Sequence, residues 1–593
     1  MARIAILLSD RCHPKECHWE CADFCPVNRM HQECIVEGPT GQPVISESLC
    51  IGCGICVHKC PFDAIKILNT PEAEESEIVH RYGYNGFRLY GLPIPPAQGI
   101  VGLLGPNGTG KSTALRIVGG MEVPNLGAYD RPGSWEATAE RYRGTALFAL
   151  LDRIRRGRLR VAHKPQYVDR FADEGATVRA FVESAGGDGA AGAIEAMDLS
   201  GRADRRLSEL SGGELQQAAI ARTMATDADL YLFDEPSSYL DILRRLAMAR
   251  VLRRLGESRG VLVVEHDLAL LDYIADQAHL LYGEPAAFGV VTPAMPMRSA
   301  INSYLNGYLK GANVRFRTEP VRFVAHPPKP ATRFDTLVAF DRLKKSFPGF
   351  ELTVAPGRLG RGETIGVVGP NATGKTTFVR MLAGAETPTE GLPPAGVTVS
   401  YKPQYLRATQ RASLRERVAA LAGDPAFDAG LFERELVPGL HLEEILDVAL
   451  PDLSGGELQR AAVALTLART ATLYLLDEPS GYLDSDERIA MAKLLRRQVE
   501  RQAVCALVVD HDVYFLDLAC DGLIVFSDGG APGARGVGAG PFPMREGMNR
   551  LLGGIQVTFR RDAETRRPRI NREGSALDRE QRAKGEYYYE SPE

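Results

Sequence analysis

Leu210-Ser211-Gly212-Gly213-Glu214-Leu215-Gln216 is followed, after fourteen intervening residues, by Tyr231-Leu232-Phe233-Asp234-Glu235-Pro236-Ser237-Ser238-Tyr239-Leu240-Asp241. The same words return at Leu453 to Gln459 and at Tyr474 to Asp484. An apolar run ending in Asp-Glu reads as a buried strand that brings a metal-binding carboxylate and a neighbouring general base to its carboxyl end, where open α/β sheets hold ligands. The preceding Ser-Gly-Gly-Glu reads as a helix amino terminus, whose bare backbone N–H groups suit phosphate. Two copies predict two nucleotide sites in one chain.

Each copy has a glycine-rich loop upstream. Ile100 to Leu104 is a short apolar strand, followed by Gly105-Pro106-Asn107-Gly108-Thr109-Gly110-Lys111-Ser112-Thr113. The glycines let backbone N–H groups close round phosphates, Lys111 reaches the β- and γ-phosphates, and Ser112 ligates Mg²⁺. The second copy has Ile365 to Val368 as strand and Gly369-Pro370-Asn371-Ala372-Thr373-Gly374-Lys375-Thr376-Thr377 as loop, with Ala372 where the first copy has Gly108. That departure touches rate rather than binding, because the motif fixes the outer glycines and the Lys-Thr. Phe87 or Tyr84 in the first copy, and Phe350 in the second, either stack on adenine or pack in the core. Further pairs recur: Lys164-Pro165-Gln166-Tyr167 with Lys402-Pro403-Gln404-Tyr405, and Val264-Glu265-His266-Asp267 with Val509-Asp510-His511-Asp512.

These words resemble the ATP-binding cassette family. The resemblance implies composite sites, in which Lys111, Ser112, Asp234 and Glu235 face Ser454, Gly455 and Gly456, while Lys375, Thr376, Asp477 and Glu478 face Ser211, Gly212 and Gly213. It implies that Asp234 and Asp477 position Mg²⁺ and that Glu235 and Glu478 polarise the attacking water. Gln166 and Gln404 would sense Mg²⁺ and that water, His266 and His511 would contact the γ-phosphate, and Asp241 and Asp484 would belong to loops crossing the interface.

A chain of 593 residues needs several cores. Hydrophobic residues at 45% and charged residues at 24% mark an ordinary globular protein. A net charge of -5 leaves any nucleic-acid contact to local basic patches. No run approaches the roughly 18 apolar residues of a membrane-spanning helix, and Met1 to Asp10 lacks a signal-peptide pattern. The expectation is a cytoplasmic protein with no membrane partner.

Nine of the eleven cysteines precede residue 61. Cys50-x2-Cys53-x2-Cys56-x3-Cys60-Pro61 has bacterial ferredoxin spacing, in which the fourth cysteine serves the other cluster. Cys12-x4-Cys17-x3-Cys21-x3-Cys25-Pro26 reads as a variant partner half. The expected sets are Cys50, Cys53, Cys56 and Cys25 for one [4Fe–4S] cluster, and Cys12, Cys17, Cys21 and Cys60 for the other, with Cys34 left over. The competing readings are structural zinc, usually written as paired C-x2-C knuckles, and a disulfide scaffold, which suits an oxidising compartment. No flavin or haem signature supplies a second redox site, so a structural or mechanical role is expected of the clusters. Cys505 and Cys520 read as packed core residues.

Lys111 to Gln166 spans 55 residues but Lys375 to Gln404 only 29, so the first copy carries 26 extra. The insert, Ser134 to Arg160, reads as two amphipathic helices about a Gly144 turn, with Leu147, Phe148, Leu150, Leu151 and Ile154 as the apolar stripe. Its arginines 141, 143, 153, 155, 156, 158 and 160 mark either a site for a phosphate backbone or a solvated helical face. Gly283 to Arg317 and Gly529 to Glu593 echo one another after each cassette, as paired hinges would. Their arginines either serve a partner or pair with acidic neighbours.

The combination of ferredoxin-like cysteines, twin cassettes, an insert in the first, and the tail words Arg-Pro-Arg-Ile-Asn571 and Gly-Glu-Tyr-Tyr-Tyr589 resembles the ABC-E family of ribosome-recycling ATPases, also called RNase L inhibitor. One departure is Gln217, where the second copy has the family's usual Arg460. The fold class implied is α/β, with two cassettes preceded by a small ferredoxin-like α+β domain. The expected map is 1–74 for the cluster domain, 75–290 and 331–528 for the cassettes, and 283–330 and 529–593 for the hinges. The resemblance implies ATP, Mg²⁺ and two [4Fe–4S] clusters as cofactors. The implied partners are the ribosome, through small-subunit RNA and proteins, an A-site release factor or its stalled-ribosome relative, and initiation factors, the chain acting as a monomer. ATP-driven closure would swing the cluster domain against the release factor, separate the subunits and leave the chain on the small one. A competing reading is a soluble cassette ATPase of chromosome maintenance or DNA repair, but such proteins carry long coiled coils and no heptad run occurs here.

Overall fold

The computed structural model describes residues 3–7, 11–38, 41–46, 49–62, 64–69, 77–83, 86–187, 189–311, 313–317, 319–323, 335–404, 411–531 and 533–588. Tyr84, Tyr405, Tyr589 and the acidic linker over 72–76 lie outside them. The chain divides into two compact units, one of Met1–Ser238, Val251–Glu265 and Ala275–Thr318, the other of Tyr239–Arg250, His266–Ile274 and Glu319–Glu593. Among the described residues no helix is long and apolar enough to cross a membrane.

The first unit opens with a small α+β module. Strand Arg3–Leu7 pairs antiparallel with Ile65–Asn69, hairpin Ile35–Glu37/Pro43–Ile45 lies beside it, and three short helices, Glu20–Asp23, Pro26–Arg29 and Ile55–Lys59, complete it. Its buried core is largely sulfur: Cys21, Cys25, Cys34 and Cys56 pack with Ala5, Val27, Ile35, Ile45 and Ile65. So few aliphatic side chains make a weak core, as expected of a module whose stability comes from a metal centre.

The same unit then builds a sheet in the order Ile78–Arg81, Arg88–Tyr90, Phe288–Val291, Gln277–Glu284, Gly99–Leu104, Gly260–Val264, Leu230–Asp234 and Val161–Lys164, with Met295–Pro296 pairing on Gln277–Glu284. The last five strands run parallel. Leu230–Asp234 and Gly260–Val264 are buried along their whole length. Continuous apolar runs such as Gly-Val-Leu-Val-Val are what a two-sided parallel sheet requires. The carboxyl ends of Gly99–Leu104 and Leu230–Asp234 therefore deliver the glycine-rich loop and the Asp-Glu pair to one rim.

The insert is two helices, Trp135–Arg141 and Ala146–Arg155, with Gly144 between them at φ +83°. Ser134 caps the first by accepting from Ala137 N at 3.3 Å. The stripe faces inward: Leu147 and Leu151 are buried, and Phe148, Leu150 and Ile154 pack on the core that holds Leu115, Ile117 and Val118. Most of its arginines have acidic partners. Arg153 meets Asp229 at 2.9 Å, Arg155 and Arg156 meet Asp152 at 2.6 and 2.8 Å, Arg143 meets Glu140 at 2.6 Å, and Arg160 meets Asp227 and Asp229. Arg141 donates to Ile78 O at 2.7 Å. Exposed pairs of this kind contribute little to stability, but they offset much of the charge that the sequence displays.

The second unit repeats the sheet order strand for strand: Leu343–Phe347, Phe350–Val354, Arg535–Pro543, Gly522–Ser527, Glu363–Val368, Cys505–Val509, Leu473–Asp477 and Val399–Lys402. Cys505 and Cys520 are fully buried, as packed core residues. Arg535–Pro543, placed by the sequence reading in the second hinge, pairs with Gly522–Ser527 and Phe350–Val354, so the cassette sheet reaches beyond 528. Arg535–Pro543 holds three glycines and two prolines, and that composition disguises it as a loop. Phe288–Val291, at the overlap of the expected first cassette (75–290) and first hinge (283–330), belongs to the first sheet.

The two post-cassette segments do echo one another. Helices Met297–Asn306 and Met544–Ile555 each follow a proline N-cap, and each leads to a two-stranded hairpin, Tyr308–Leu309/Val314–Arg315 and Phe559–Arg561/Pro568–Ile570. Within the second unit the latter hairpin carries buried ion pairs. Arg567, fully buried, donates to Asp272 at 2.8 Å, and Arg569 donates to the same carboxylate at 2.6 and 3.0 Å. Arg561 forks onto Asp517 at 2.7 and 2.8 Å, and Tyr588 donates to Asp517 at 2.6 Å. Burial alone would raise Asp272, but Arg567 and Arg569 outweigh it and hold the carboxyl below its ordinary value.

Removing one partner of such a pair strands a buried charge. Arg567→Ala should destabilise the chain by about 3–5 kcal/mol in chemical denaturation, against roughly 0.5 kcal/mol or less for exposed Arg579→Ala. Because the Asp272 carboxyl is depressed, its contribution is complete above the ordinary carboxylate range and is lost as pH falls through the folded value. The gap between Arg567→Ala and the parent should therefore narrow below about pH 4.

Candidate nucleotide and cluster sites

Both glycine-rich loops run into helices, Lys111–Val118 and Lys375–Leu382, whose N-caps Gly110 and Gly374 sit at φ +87° and +92°. First-turn N–H groups lack intrahelical partners and attract anions. Lys111 Nζ donates to Gly105 O and Pro106 O at 2.8 Å, and Lys375 Nζ to Gly369 O at 2.8 Å, Pro370 O at 2.7 Å and Asn371 Oδ1 at 3.4 Å. Burial lowers Lys375 to about 8, against the pull of Asp241 and Glu478. Gly108 has φ +73° and Ala372 reaches φ +61°, so the second loop keeps the glycine conformation with a methyl group in it.

The Asp-Glu pairs end their strands under matched restraints. Glu235 and Glu478 stand at φ +48° and +49°, a left-handed conformation costly for a non-glycine residue. Glu235 N donates to Val264 O and Glu478 N to Val509 O. Gln166 Nε2 donates to Glu235 Oε1 at 2.7 Å and Gln404 Nε2 to Glu478 Oε1 at 2.8 Å. Two further pairs, to which the sequence reading gives no role, hold the same corner. Buried Lys164 donates to Asp234 O at 2.9 Å and Glu235 O at 3.1 Å, and Lys402 to Asp477 O at 2.8 Å and Glu478 O at 3.3 Å. Gln216 donates to Glu235 O and Pro236 O at 2.9 and 3.0 Å, and Gln459 to Glu478 O at 2.5 Å. Their repetition in both halves was the available signal.

The carboxylates of Asp234 and Asp477, expected to position Mg²⁺, are short of partners. Neither Asp477 oxygen makes a well-formed hydrogen bond, nor does Asp234 Oδ1, although all are buried. Burial raises Asp477 to about 6, opposed by the adjacent Thr376 hydroxyl, and it raises Asp234 against Ser112. A buried carboxylate beside a loop hydroxyl, with orphaned oxygens, suits a hard divalent cation. His511 Nε2 stands 3.8 Å from Glu478 Oε1, and burial beside Lys375 and Arg245 keeps it neutral, well below its ordinary value. Asp510 braces that strand end, its Oδ1 accepting from Ser480 Oγ at 2.7 Å and from His511 N at 2.7 Å. His266 is buried, and its carbonyl accepts from Ser485 Oγ at 2.6 Å.

Ser211 and Ser454 cap helices Gly212–Ala225 and Gly455–Leu467 through reciprocal boxes with Glu214 and Glu457. Gly212, Gly213, Gly455 and Gly456 thus form the first turns. Gln217 donates to Met197 O at 2.7 Å, where Arg460 donates to Leu440 O and His441 O at 2.8 Å and meets Glu487 at 3.2 Å, so the departure keeps a tether but a weaker one. In the second unit Asp241 accepts from Asn371 N at 2.9 Å, and Asp484 caps helix Ser485–Gln502.

Phe87 lies under the first loop, its ring 2.6 Å from where a Cβ on Gly110 would stand. Phe350 is half-buried against the second core. The sequence reading passes over two exposed partners of these rings. Tyr82 is 6.5 Å from Phe87 and Phe347 is 6.5 Å from Phe350, both pairs tilted by about the same angle, 34° and 31°. Tyr82 Oη is 3.4 Å from Thr113 Oγ1 of the glycine-rich loop.

In the cluster module, Cys25, Cys50, Cys53 and Cys56 line one small cavity, and Cys12, Cys17, Cys21 and Cys60 line another. These are the two expected sets. Cys34 lines the first cavity too, with its Sγ 4.0 Å from Ser46 O. Burial and neighbouring thiols raise Cys12 and Cys56 to about 11 and Cys21 to about 12. Thiolates so crowded need iron's positive charge to coexist.

Models of known families match at the same places: an ABC transporter model at residues 95–238 and 355–481, a 4Fe-4S binding domain at 43–66, and a possible Fer4-like domain in RNase L inhibitor at 2–33. The chain is 40% identical to ABC transporter E family member 1 of Arabidopsis thaliana, over 99% of either chain. Among solved structures it matches one described as a model of ribosome-bound archaeal Pelota and ABCE1, at 47% identity, 99% coverage of both chains and a TM-score of 0.92. Another is the crystal structure of the complex of archaeal ribosomal stalk protein aP1 and archaeal ribosome recycling factor aABCE1, at 45% identity, covering 87% of this chain and 99% of that one, with a TM-score of 0.82. ATP binding and iron–sulfur binding follow from the matched models. With a full-length relative at this identity and both cassettes and the cluster module matched, the chain belongs to the ABC-E family of twin-cassette ATPases, the RNase L inhibitor family.

Proposed function

We propose that this chain is a cytoplasmic, ATP-driven ribosome recycling factor that splits ribosomes into subunits together with an A-site release factor or its stalled-ribosome relative. The observation that carries the reading is likeness along the whole chain to a ribosome-bound relative, at a TM-score of 0.92 over 99% of both chains. In support, a cluster module, two cassettes and two echoing post-cassette segments occur together, and cassette ATPases in general need only the cassettes. Partners would be small-subunit RNA and proteins, the release factor, and initiation factors.

The chemistry follows from the corner residues. Each ATP would lie between a glycine-rich loop and the Ser-Gly-Gly helix start of the other cassette, Lys111 with Ser454 to Gly456 and Lys375 with Ser211 to Gly213. Lys111 and Lys375 would exchange their carbonyl partners for β- and γ-phosphate oxygens. Ser112 with Asp234, and Thr376 with Asp477, would hold Mg²⁺, which would supply positive charge to offset the charge that develops on the phosphate. Glu235 and Glu478 would take the proton of the attacking water, aimed by Gln166 and Gln404. Neutral His511, and His266 in the first site, would donate to the γ-phosphate. Asp241 and Asp484 would link one cassette's corner to the other's loop. Two [4Fe–4S] clusters, held by the two cysteine sets, would stiffen the module that is pushed against the release factor.

Ribosomes incubated with the chain, a release-factor relative and ATP should separate into subunits on a sucrose gradient. Intact ribosomes under every nucleotide condition would overturn the proposal.

Glu235→Gln and Glu478→Gln should each retain ATP binding while slowing hydrolysis at its own site. Loss of a general base is worth about 10²–10⁴-fold, and the double variant should show that loss in phosphate release. Unchanged turnover in the double variant would remove both carboxylates from the role.

Anaerobically purified chain should contain about eight irons. Cys53→Ser should lower that content, whereas Cys34→Ser, whose thiol is turned to a carbonyl, should preserve it. Equal loss from both variants would mean a different ligand set.

A further inference from the structure

Eleven residues beyond each glycine-rich-loop lysine stands a glutamate, Glu122 after Lys111 and Glu386 after Lys375, and five beyond each stands an arginine, Arg116 and Arg380. These positions form no part of the nucleotide motifs, yet each glutamate reaches the exposed aromatic ring beside its loop by a different route. In the first unit Tyr82 Oη donates to Glu122 Oε1 at 2.5 Å. His80 Nε2 lies 3.2 Å from the same oxygen, its ring edge-on to Tyr82 at 4.5 Å, and Arg116 meets the other oxygen at 3.2 Å. In the second unit the ring is Phe347, which has no hydroxyl. There Glu386 binds Lys345 Nζ at 2.6 Å, Lys345 also donates to Thr387 O at 2.8 Å, and its ammonium stands 5.2 Å from the centre of the Phe347 ring. That is cation–π distance.

The backbone places the two rings equivalently. Tyr82 N donates to Phe87 O across one hairpin, and Phe347 pairs with Phe350 across the other. Both rings are about two-fifths exposed, Tyr82 at 42% and Phe347 at 39%, whereas their partners Phe87 and Phe350 are half-buried. An exposed ring beside a phosphate loop loses rotamer entropy when something stacks on it. A ring already tethered through a partly buried carboxylate loses less.

We infer that Glu122 and Glu386 are positioning residues for the nucleotide's base: each fixes the exposed aromatic face of its own site, directly through the Tyr82 hydroxyl in the first and through the Lys345 ammonium over Phe347 in the second. This rests on the reading of both loops as ATP sites; that Tyr82 and Phe347, in place of the expected Phe87 and Phe350, face the base is part of the inference. The two sites then present the same platform on unlike supports, one a phenol-to-carboxylate hydrogen bond and the other an ammonium–carboxylate ion pair. Nucleotides that lack a flat base gain nothing from either.

The test uses the full chain, with first-site turnover read in a Glu478→Gln background and second-site turnover in a Glu235→Gln background. Glu122→Ala and Tyr82→Phe should each raise the first-site KM for ATP about three- to tenfold, the loss of one hydrogen bond, with the inhibition constant of inorganic tripolyphosphate within about twofold. The double variant should be no worse than the poorer single. Glu122→Gln, whose amide oxygen still accepts the phenol proton, should restore the KM. Glu386→Ala and Lys345→Met should do the same to the second site alone. A raised KM for Tyr82→Ala with none for Glu122→Ala would overturn the bracing role and leave the platform standing. No change for Tyr82→Ala would overturn the platform itself. Parallel loss of ATP and tripolyphosphate affinity would show Glu122 to be supporting the loop helix instead.

Discussion

Two buried ammonium groups set the geometry on which the chemistry depends. Lys164 and Lys402 each donate to the carbonyls of the aspartate and glutamate that end the central strand, and burial lowers both amines to about 8. A cation in that position holds the chain through the sharp left-handed turn at Glu235 and Glu478, which would relax without it. The glutamine at the fifth position of each signature helix holds the glutamate carbonyl from the other side, so the base, the sheet rim and the helix start are fixed to one corner. Any shift of the signature helix is then felt at the glutamate's backbone through the glutamine amide.

The glycine-rich loops, the Asp-Glu strands, the capped signature helices and the two cysteine sets were legible because their chemistry restricts the residue type at each position. Phosphate needs free N–H groups, a cation needs a buried carboxylate, and an iron cluster needs four thiolates. The insert was legible for a simpler reason, a length difference between repeats joined to a clear apolar stripe, and its inward-facing leucines confirm the helical period. Its arginines were harder to read, since their acidic partners Asp227 and Asp229 lie some seventy positions away in the sequence.

What stayed hidden depended on tertiary register. The segment from Tyr82 to Tyr90 holds four aromatic residues, and only the hairpin pairing decides that Tyr82 is the one beside Thr113. Arg535–Pro543 looks like linker because its glycines and prolines are tolerated at a strand that pairs irregularly, with a register shift opposite Leu523 and Val525. The helices around 239–250 and 266–274 read as parts of the first cassette, but their contacts gather them into the second compact unit. No local pattern announces that, since the packing partner is remote in sequence, as with Asp272 and Arg567.

Ala372 gives the two phosphate loops different thermodynamic histories. Its backbone holds the same left-handed conformation as Gly108, +61° against +73°, so the folded shapes agree. An alanine there resists that conformation by roughly 1–2 kcal/mol, a cost met when the protein folds. The glycine loop carries no such penalty but has more freedom to lose when a ligand orders it. Nucleotide capture at the first loop should therefore be opposed by a larger entropy loss than at the second, a calorimetric difference between loops of one shape.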